Sequence, residues 1–207
     1  MTITTPVKLY GSPQSRLTRA SWMCEELGIA YDIVAAKPHS DALKALNPAG
    51  KGPVLVDDDV VVIDSAAICL YLADKHADKG FCAPPGTAER ASLDSWMMFA
   101  QLDLEGPLWL KLKHKFLLPE TLRCDLKDNP KREFDAAIAA MEARLGDGQF
   151  ALGDQFSAAD IILGHCGQWA RGGKFQINSD AVNAYFDRVL SRPALSRAHK
   201  VEERLLS

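Results

Sequence analysis

The sequence contains no uninterrupted apolar run approaching the roughly 20 residues that a bilayer-spanning helix needs. Its first ten residues, MTITTPVKLY, lack the apolar core of a secretory signal peptide. The formal net charge of -3 at pH 7 provides no global field that would attract nucleic acid or an acidic membrane. From these three absences we expect a cytoplasmic protein that binds neither membranes nor nucleic acid.

The number and spacing of the cysteines exclude two kinds of site. The chain has five cysteines, an odd number, and no two of them form a C-x-x-C pair, which fits neither a disulfide framework nor a zinc site. We therefore predict no metal site and five reduced thiols without a catalytic role. These are Cys24, Cys69, Cys82, Cys124 and Cys166.

The composition is that of a folded globular protein. Hydrophobic residues make up 47% of the chain and charged residues 25%, which argues against disorder. A length of 207 residues is enough for one large domain or two small ones.

The first 80 residues alternate between short β-branched runs and helical patterns. Gly28 ends the first helix, and three aspartates between two β-branched runs predict a hairpin. The order of the elements predicts a small α/β domain made of a βαβ unit, a hairpin and a final helix. The predicted strands are Val7–Tyr10, Tyr31–Ala35, Pro53–Val56 and Val60–Ile63, and the predicted helices are Ser15–Leu27, Asp41–Leu46 and Ala66–His76.

The rest of the chain reads as helical. Residues 81–87 are rich in proline and glycine and predict a linker, after which no strand pattern of comparable quality occurs. Ser157 and Asp160 form the Asp version of a capping box, which predicts a structural role at the start of a buried helix. The predicted helices are Ala88–Lys115 with a kink at Gly106-Pro107, Pro130–Leu145, Ser157–Ala170 and Ser179–Leu190.

The turn after the first predicted strand carries two hydroxyls, in Ser12-x-x-Ser15. Serines exclude dithiol exchange there, but a hydroxyl at a helix N-terminus can donate a hydrogen bond to an anion, assisted by the helix dipole. A thiolate suits such a place, because a free thiol has a pKa of about 8.5 that a helix N-terminus lowers. The alternative, that Ser12 or Ser15 merely caps the helix, is favoured by these residues alone.

Two further features point to the same ligand. Pro53 heads a predicted strand, and if its peptide bond is cis, the backbone of Gly52 can face an extended peptide. At the next strand-to-helix junction, Asp64 and Ser65 could hold the two charges of an amino-acid head group, although a plain N-cap is the commoner case. A thiol, a peptide stretch and an α-amino acid end are the parts of glutathione.

At this point the sequence resembles a cytosolic glutathione transferase of the bacterial, serine-type kind, over nearly its whole length. The motifs that carry the resemblance are YGSPQSRLTRA, LNPAGKGPVLV, IDSAAICLYLAD and FSAADIIL. The resemblance implies an α/β thioredoxin-like domain at residues 1–80, a linker at 81–87 and an all-α helical-bundle domain at 88–207. It also implies a homodimer.

The resemblance implies roles for individual residues as well. Ser15 matches the serine that activates the glutathione thiol, Ser12 is the alternate, and Tyr10 ranks third. Two positions depart from the family pattern, because Gly52 replaces a β-branched or apolar residue and Asp64 replaces Glu or Gln. The residues that match glutathione contacts are Lys37, His39, Lys51, Gly52, Pro53, Asp64 and Ser65.

The implied reaction is detoxification, in which the glutathione thiolate attacks a small hydrophobic electrophile and glutathione serves as co-substrate. The resemblance implies a hydrophobic-substrate pocket between the two domains, and every helical candidate for it can equally be a helix-core residue. The candidates are Tyr10, Phe99, Leu102, Trp109 and Phe116.

Two alternatives stay open from the sequence. One is a glutathione-dependent isomerase, or a reductase of disulfides or peroxides, because the thiolate chemistry is shared. The other is a non-catalytic binding module of the same fold. A short basic run could bind nucleic acid locally, although a solvated helix face explains it better; its members are Lys111, Lys113, His114 and Lys115.

Overall fold

A four-stranded mixed sheet organises the first part of the computed structural model, which describes residues 6 to 206. The strands are β1 (Val7–Gly11), β2 (Tyr31–Ala35), β3 (Val54–Asp57) and β4 (Val60–Ile63). Their order is β2-β1-β3-β4, with β1 parallel to β2 and antiparallel to β3, and with β3 antiparallel to β4. The predicted βαβ unit and hairpin are both present, because only the β1–β2 pair is parallel and needs a helical crossover.

Nine α-helices follow or interrupt these strands in the described residues. The helices are α1 (Leu17–Leu27), α2 (Asp41–Leu46), α3 (Ser65–Lys75), α4 (Ala88–Phe99), α5 (Glu105–Leu112), α6 (Asn129–Leu145), α7 (Ala158–Gly172), α8 (Asp180–Leu190) and α9 (Pro193–Glu203). Over residues 6 to 206, no helix is both long enough and apolar enough to cross a membrane.

The crossover helix α1 is buried on nearly every side. It lies against α3 and α9, and Leu17, Ala20 and Cys24 are fully buried. Gly28 ends the helix in the left-handed region at φ 68°, as predicted, and its N–H donates to the carbonyl of Cys24. The turn before α1, which carries Ser12 and Ser15, is therefore held by a helix that cannot shift without disturbing the core.

The last helix, α9, has no counterpart in the sequence prediction. It packs on α1 and is held there by ion pairs, Arg192 with Glu26 and Arg197 with Glu25. The described residues accordingly form two compact units. One joins the chain up to Pro84 with the segment after Leu190, and the other is Pro85–Leu190. The division into 1–80, 81–87 and 88–207 remains a prediction from the sequence.

The predicted helix Ala88–Lys115 is interrupted, and not at its proline. The backbone widens into π-helical turns at Ala100–Leu104 and again at Lys113–Leu117. Pro107 lies inside α5, three residues after the first of these turns. A proline ring clashes with the carbonyl four residues earlier, which is that of Asp103, so the helix departs from α geometry before the proline rather than at Gly106-Pro107.

The predicted capping box is confirmed at the start of α7. The two carboxylate oxygens of the buried Asp160 together accept four hydrogen bonds, from the N–H of Ala151, the N–H and hydroxyl of Ser157, and the hydroxyl of Tyr185, at 2.7–2.8 Å. Burial raises the pKa of Asp160, and these hydrogen bonds oppose that rise. One carboxylate thus fixes the start of the most deeply buried helix of the second unit.

Candidate functional site

The turn between β1 and α1 contains both candidate serines, and each is half-buried. The Ser15 hydroxyl donates to the carbonyl of Ser12 at 2.6 Å and accepts from the N–H of Leu17 at 3.2 Å. The Ser12 hydroxyl donates to the carbonyl of Ala36 at 3.2 Å. Ser15 therefore sits directly at the start of α1, whereas Ser12 ties the turn to the end of β2.

This difference favours Ser15 as a donor to an anion. A hydroxyl that accepts a backbone N–H is polarised, and its own proton becomes a better donor. The Ser15 hydroxyl donates to a carbonyl only 2.6 Å away in the same turn, and a rotation about its Cβ–Oγ bond redirects the proton towards a ligand while the oxygen keeps its bond from the Leu17 N–H. Neither serine is the N-cap of α1, because Arg16 holds that position without a side-chain capping bond.

Tyr10 occupies a different environment from the two serines. It lies in β1 opposite Val34 on one side and Val54 on the other. Its side chain packs against the buried cluster that contains Leu43 and Ala36. The rank of Tyr10 below the two serines as the thiol-activating hydroxyl stays a prediction.

Two loops present the basic candidates. Lys37, His39 and Lys51 are all exposed. The loops are joined by a hydrogen bond of 2.7 Å from the N–H of His39 to the carbonyl of Gly50. The result is a surface with two lysines and a histidine on adjoining turns, which suits a carboxylate of the ligand.

Asn47 organises this region and was not among the predicted site residues. Its buried side-chain amide donates to the carbonyl of Lys51 at 2.7 Å and accepts from the N–H of Ala49 at 3.0 Å. An Asn that bonds its own loop is typical of tight turns. The Asn47-Pro48 pair, which marked the end of α2 in the sequence, was the signal that could have identified it.

The Gly52–Pro53 peptide bond is cis, and Gly52 lies against the end of β1. A Cβ at Gly52 would come within 3.2 Å of both the Cα of Gly11 and the carbonyl oxygen of Tyr10. This close approach explains why glycine stands where the family pattern has a larger residue. It also brings the Gly52 backbone next to the strand that leads into the Ser12–Ser15 turn.

We expect Gly52→Ala to lower the free energy of unfolding by about 1–3 kcal/mol, the usual cost of overpacking. Both atoms that the new Cβ meets belong to backbone, so they cannot rotate away. Denaturant unfolding measures the change. Gly172→Ala is the matched control, because a Cβ there would meet open space among the described residues; equal stability of the two variants would contradict the argument.

The Asp64–Ser65 junction differs from the prediction by one residue. Asp64, not Ser65, is the N-cap of α3, with its carboxylate accepting from the N–H of Ala66 at 2.9 Å. Asp64 has φ 77° and is exposed, whereas Ser65 is the first residue of the helix and is fully buried. Asp and Ser are equally good N-caps, so residue type alone did not decide between Asp64 and Ser65.

A buried arginine links this junction to α1. Arg19 is fully buried, and its Nη1 donates to the Ser65 hydroxyl oxygen at 3.1 Å. Ser65 thus has a lone pair engaged by a cation, which leaves its own proton for another acceptor. Sequence reasoning missed Arg19, and the available signal was an arginine between Leu17 and Ala20, two residues of the predicted apolar stripe.

The apolar candidates of the helical part do not share one environment. Phe99 is buried, with 8% of its surface exposed, and it contacts Trp96 edge to face. Leu102 is 70% exposed and Phe116 is 61% exposed, while Trp109 is half-buried. The interpretation as helix core therefore holds for Phe99 and is wrong for Leu102 and Phe116. Their role towards a substrate stays a prediction.

The basic run near residue 111 is partly engaged in local contacts. Lys111 lies over the ring of Phe175 at 4.3 Å, and Lys115 over that of Phe116 at 5.0 Å. His114 Nδ1 accepts from the N–H of Cys124 at 3.2 Å. The interpretation of this run as a solvated helix face rather than a nucleic-acid patch stays a prediction.

The cysteines are free thiols in the structure. Cys24, Cys69 and Cys166 are buried, and Cys124 is exposed. Burial raises the pKa of Cys24 well above its ordinary value and that of Cys69 to about 12. A raised pKa favours the protonated thiol of Cys24 and Cys69. The absence of a catalytic role for the five cysteines stays a prediction.

Comparison with known proteins gives the same family for both parts of the chain. The family model of the glutathione S-transferase N-terminal domain matches residues 9–80, and that of the C-terminal domain matches residues 129–188. Glutathione S-transferase 3 of Zea mays is 32% identical over 164 residues, which span 75% of this chain and 74% of the maize protein.

Solved structures share the fold of this chain. A glutathione S-transferase from Xylella fastidiosa superimposes with a TM-score of 0.83 at 24% identity, over 95% of this chain and 98% of the other. The glutathione transferase URE2P8 from Phanerochaete chrysosporium, solved with oxidised glutathione, gives a TM-score of 0.80 at 24% identity, over 100% of this chain and 99% of the other. The chain belongs to the glutathione S-transferase family.

Proposed function

We propose that this glutathione transferase joins the thiolate of glutathione to a small apolar electrophile, with Ser15 as the group that stabilises the thiolate. The observation that carries the proposal is the position of the Ser15 hydroxyl, polarised by the Leu17 N–H at the start of α1. A donor at that place lowers the free energy of the thiolate relative to the thiol. Ser12 remains the alternate.

The other contacts of glutathione follow from the adjoining turns. The backbone of Gly52 beside Pro53 pairs with the cysteinyl residue, as an added strand would. Lys51 flanks the cysteinyl backbone together with Gly52. Asp64 and Ser65 receive the ammonium and carboxylate of the γ-glutamyl group, and Lys37 and His39 attract the glycyl carboxylate. Support for this assignment comes from the close approach of Gly52 to β1. Ser65 is fully buried in the structure, and its contact with glutathione stays a prediction.

The reaction then needs little further chemistry from the protein. The thiolate sulfur forms a bond to the electrophilic carbon, and the leaving group departs with the electron pair of the bond that breaks. The enzyme contributes a larger fraction of thiolate and a fixed orientation of the two reactants. An apolar second substrate is proposed from the family, with Tyr10, Phe99, Leu102, Trp109 and Phe116 as candidate contacts.

Isothermal titration with glutathione, and then with S-hexylglutathione, tests the binding part of the proposal. We expect both to bind, with the alkylated form tighter because its chain adds burial of apolar surface. Failure of both to bind would overturn the glutathione site. A following assay with a halogenated aromatic and with a disulfide substrate separates conjugation from reduction.

The family also implies a homodimer, a cytoplasmic location and a role in detoxification. These stay predictions for this chain. Light scattering at several protein concentrations tests the dimer directly, and a mass of one chain, 22.6 kDa, at all of them would contradict it.

A further inference from the structure

The C-terminal helix places a fully buried carboxylate against the turn that holds Ser12 and Ser15. Glu202 in α9 has no exposed surface. Its Oε2 accepts from the N–H of Gln14 at 2.7 Å and from the hydroxyl of Thr18 at 2.9 Å, and its Oε1 accepts from the hydroxyl of Ser21 at 2.8 Å. The thiolate chemistry proposed above does not use this group.

The bond to Gln14 is the informative one. Gln14 lies between the two candidate serines and has φ 55°, in the left-handed region that residues other than glycine rarely adopt. Such a conformation persists only when the surroundings hold it. The Gln14 N–H donates a charge-assisted hydrogen bond of 2.7 Å to Oε2 of Glu202, an oxygen that the Thr18 hydroxyl also holds, and this contact can keep Gln14 in that conformation.

The hydrogen bonds of the turn connect this contact to Ser15. The Ser15 hydroxyl donates to the carbonyl of Ser12, so both serines move with the peptide of Gln14. Without the acceptor at Glu202, Gln14 can relax to φ < 0, and the Ser15 oxygen is displaced. A displacement of about 1 Å at a reacting group can cost about 100-fold in rate.

We propose that Glu202 is a positioning residue, which fixes the left-handed Gln14 and thereby the location of the Ser15 hydroxyl. This inference rests on the proposed function of Ser15. Gln14 and Glu202 are 188 residues apart in the sequence, so a residue of α9 supports a site that lies between β1 and α1.

Substitutions at Glu202 separate hydrogen-bond geometry from charge. Glu202→Gln keeps the length and one oxygen, which can still accept from Gln14 while the new NH2 donates to the Ser21 hydroxyl. Glu202→Asp keeps the charge but is one methylene shorter, so its oxygens no longer reach Gln14. We therefore expect kcat of the Gln variant to stay close to that of the parent and kcat of the Asp variant to fall by about 10- to 100-fold.

Ser21→Ala is the matched control for stability. It removes a donor to the same carboxylate on the oxygen that does not face Gln14. We expect it to lower the free energy of unfolding, since a buried hydrogen bond is lost, and to leave kcat unchanged. KM for glutathione should stay nearly constant across the set, because Glu202 acts on the thiolate-stabilising turn and not on the peptide contacts.

The kcat values of these variants distinguish a positioning role from a structural one. A fall in kcat for the Asp variant, with the Gln variant and Ser21→Ala active, supports the positioning role. If the Asp variant keeps its kcat and the Gln variant loses it, the charge of Glu202 matters and not its hydrogen-bond geometry. If kcat falls equally in Ser21→Ala and in the Asp variant, the role of Glu202 is merely structural. Either result overturns the proposal. Should the Asp variant fail to fold, the same question is decided by kcat of Glu202→Met. That kcat is corrected for the folded fraction, which circular dichroism measures. If the parent protein itself neither binds nor conjugates glutathione, the proposed function fails before this one is tested.

Discussion

Replacing Asp160 by asparagine is expected to lower the free energy of unfolding by about 3 kcal/mol. Each oxygen of this buried carboxylate faces a backbone N–H, that of Ala151 on one side and that of Ser157 on the other. Asparagine has the same shape but only one acceptor, so whichever way its amide turns, an NH2 group meets an N–H donor. The hydroxyls of Ser157 and Tyr185 can rotate, but the two backbone donors cannot.

Urea unfolding of the parent and the variant measures this change. Asp154→Asn is the matched control, because Asp154 is an exposed aspartate in the same loop, and we expect it to leave stability unchanged. A difference between Asp160→Asn and the parent no larger than that seen for the control would show that the capping box does not anchor α7 as described.

Replacing Ser15 by alanine is expected to lower kcat/KM for conjugation by about 100-fold or more, the usual cost of losing a donor to a developing or bound anion. The variant keeps the turn, because the Gln14 N–H still bonds Glu202 and the Ser12 hydroxyl still bonds the carbonyl of Ala36. Binding of S-hexylglutathione should change little, since its thioether carries no charge for the hydroxyl to stabilise.

Ser12→Ala separates the two candidate serines. Its hydroxyl donates to a carbonyl of the fold rather than lying at the start of α1, so we expect a far smaller effect on kcat than from Ser15→Ala. Steady-state kinetics with a halogenated aromatic substrate makes the comparison. If the larger loss follows Ser12→Ala, the roles of the two serines are reversed.

Local signals in the sequence predicted the parts of the fold that depend on neighbouring residues. Gly28 ends α1, Ser157 and Asp160 start α7, and Asp58 and Asp59 turn the β3–β4 hairpin, because each of these devices is complete within a few residues. The candidate serines were found in the same way, from their place at a strand-to-helix turn.

Contacts between segments that are distant in the sequence could not be predicted from it. Glu202 reaches the Gln14 turn only because α9 folds back on α1, and Arg19 meets Ser65 only because α1 lies against α3. In hindsight a weak signal existed for Glu202, which continues the apolar stripe of Leu195 and Ala198 at helical spacing. A charged residue in such a stripe needs a buried partner, but the pattern does not tell which segment supplies it.

The ionisation of bound glutathione tests the central claim most directly. The thiolate absorbs in the ultraviolet where the thiol does not, so a pH titration of the complex reports the state of the sulfur itself. We predict that the sulfur of glutathione bound to the parent protein ionises well below the pKa of a free thiol, and that in Ser15→Ala it returns towards the free value of about 8.5. An unchanged titration in Ser15→Ala, with glutathione still bound, would contradict the assignment of Ser15 as the group that stabilises the thiolate.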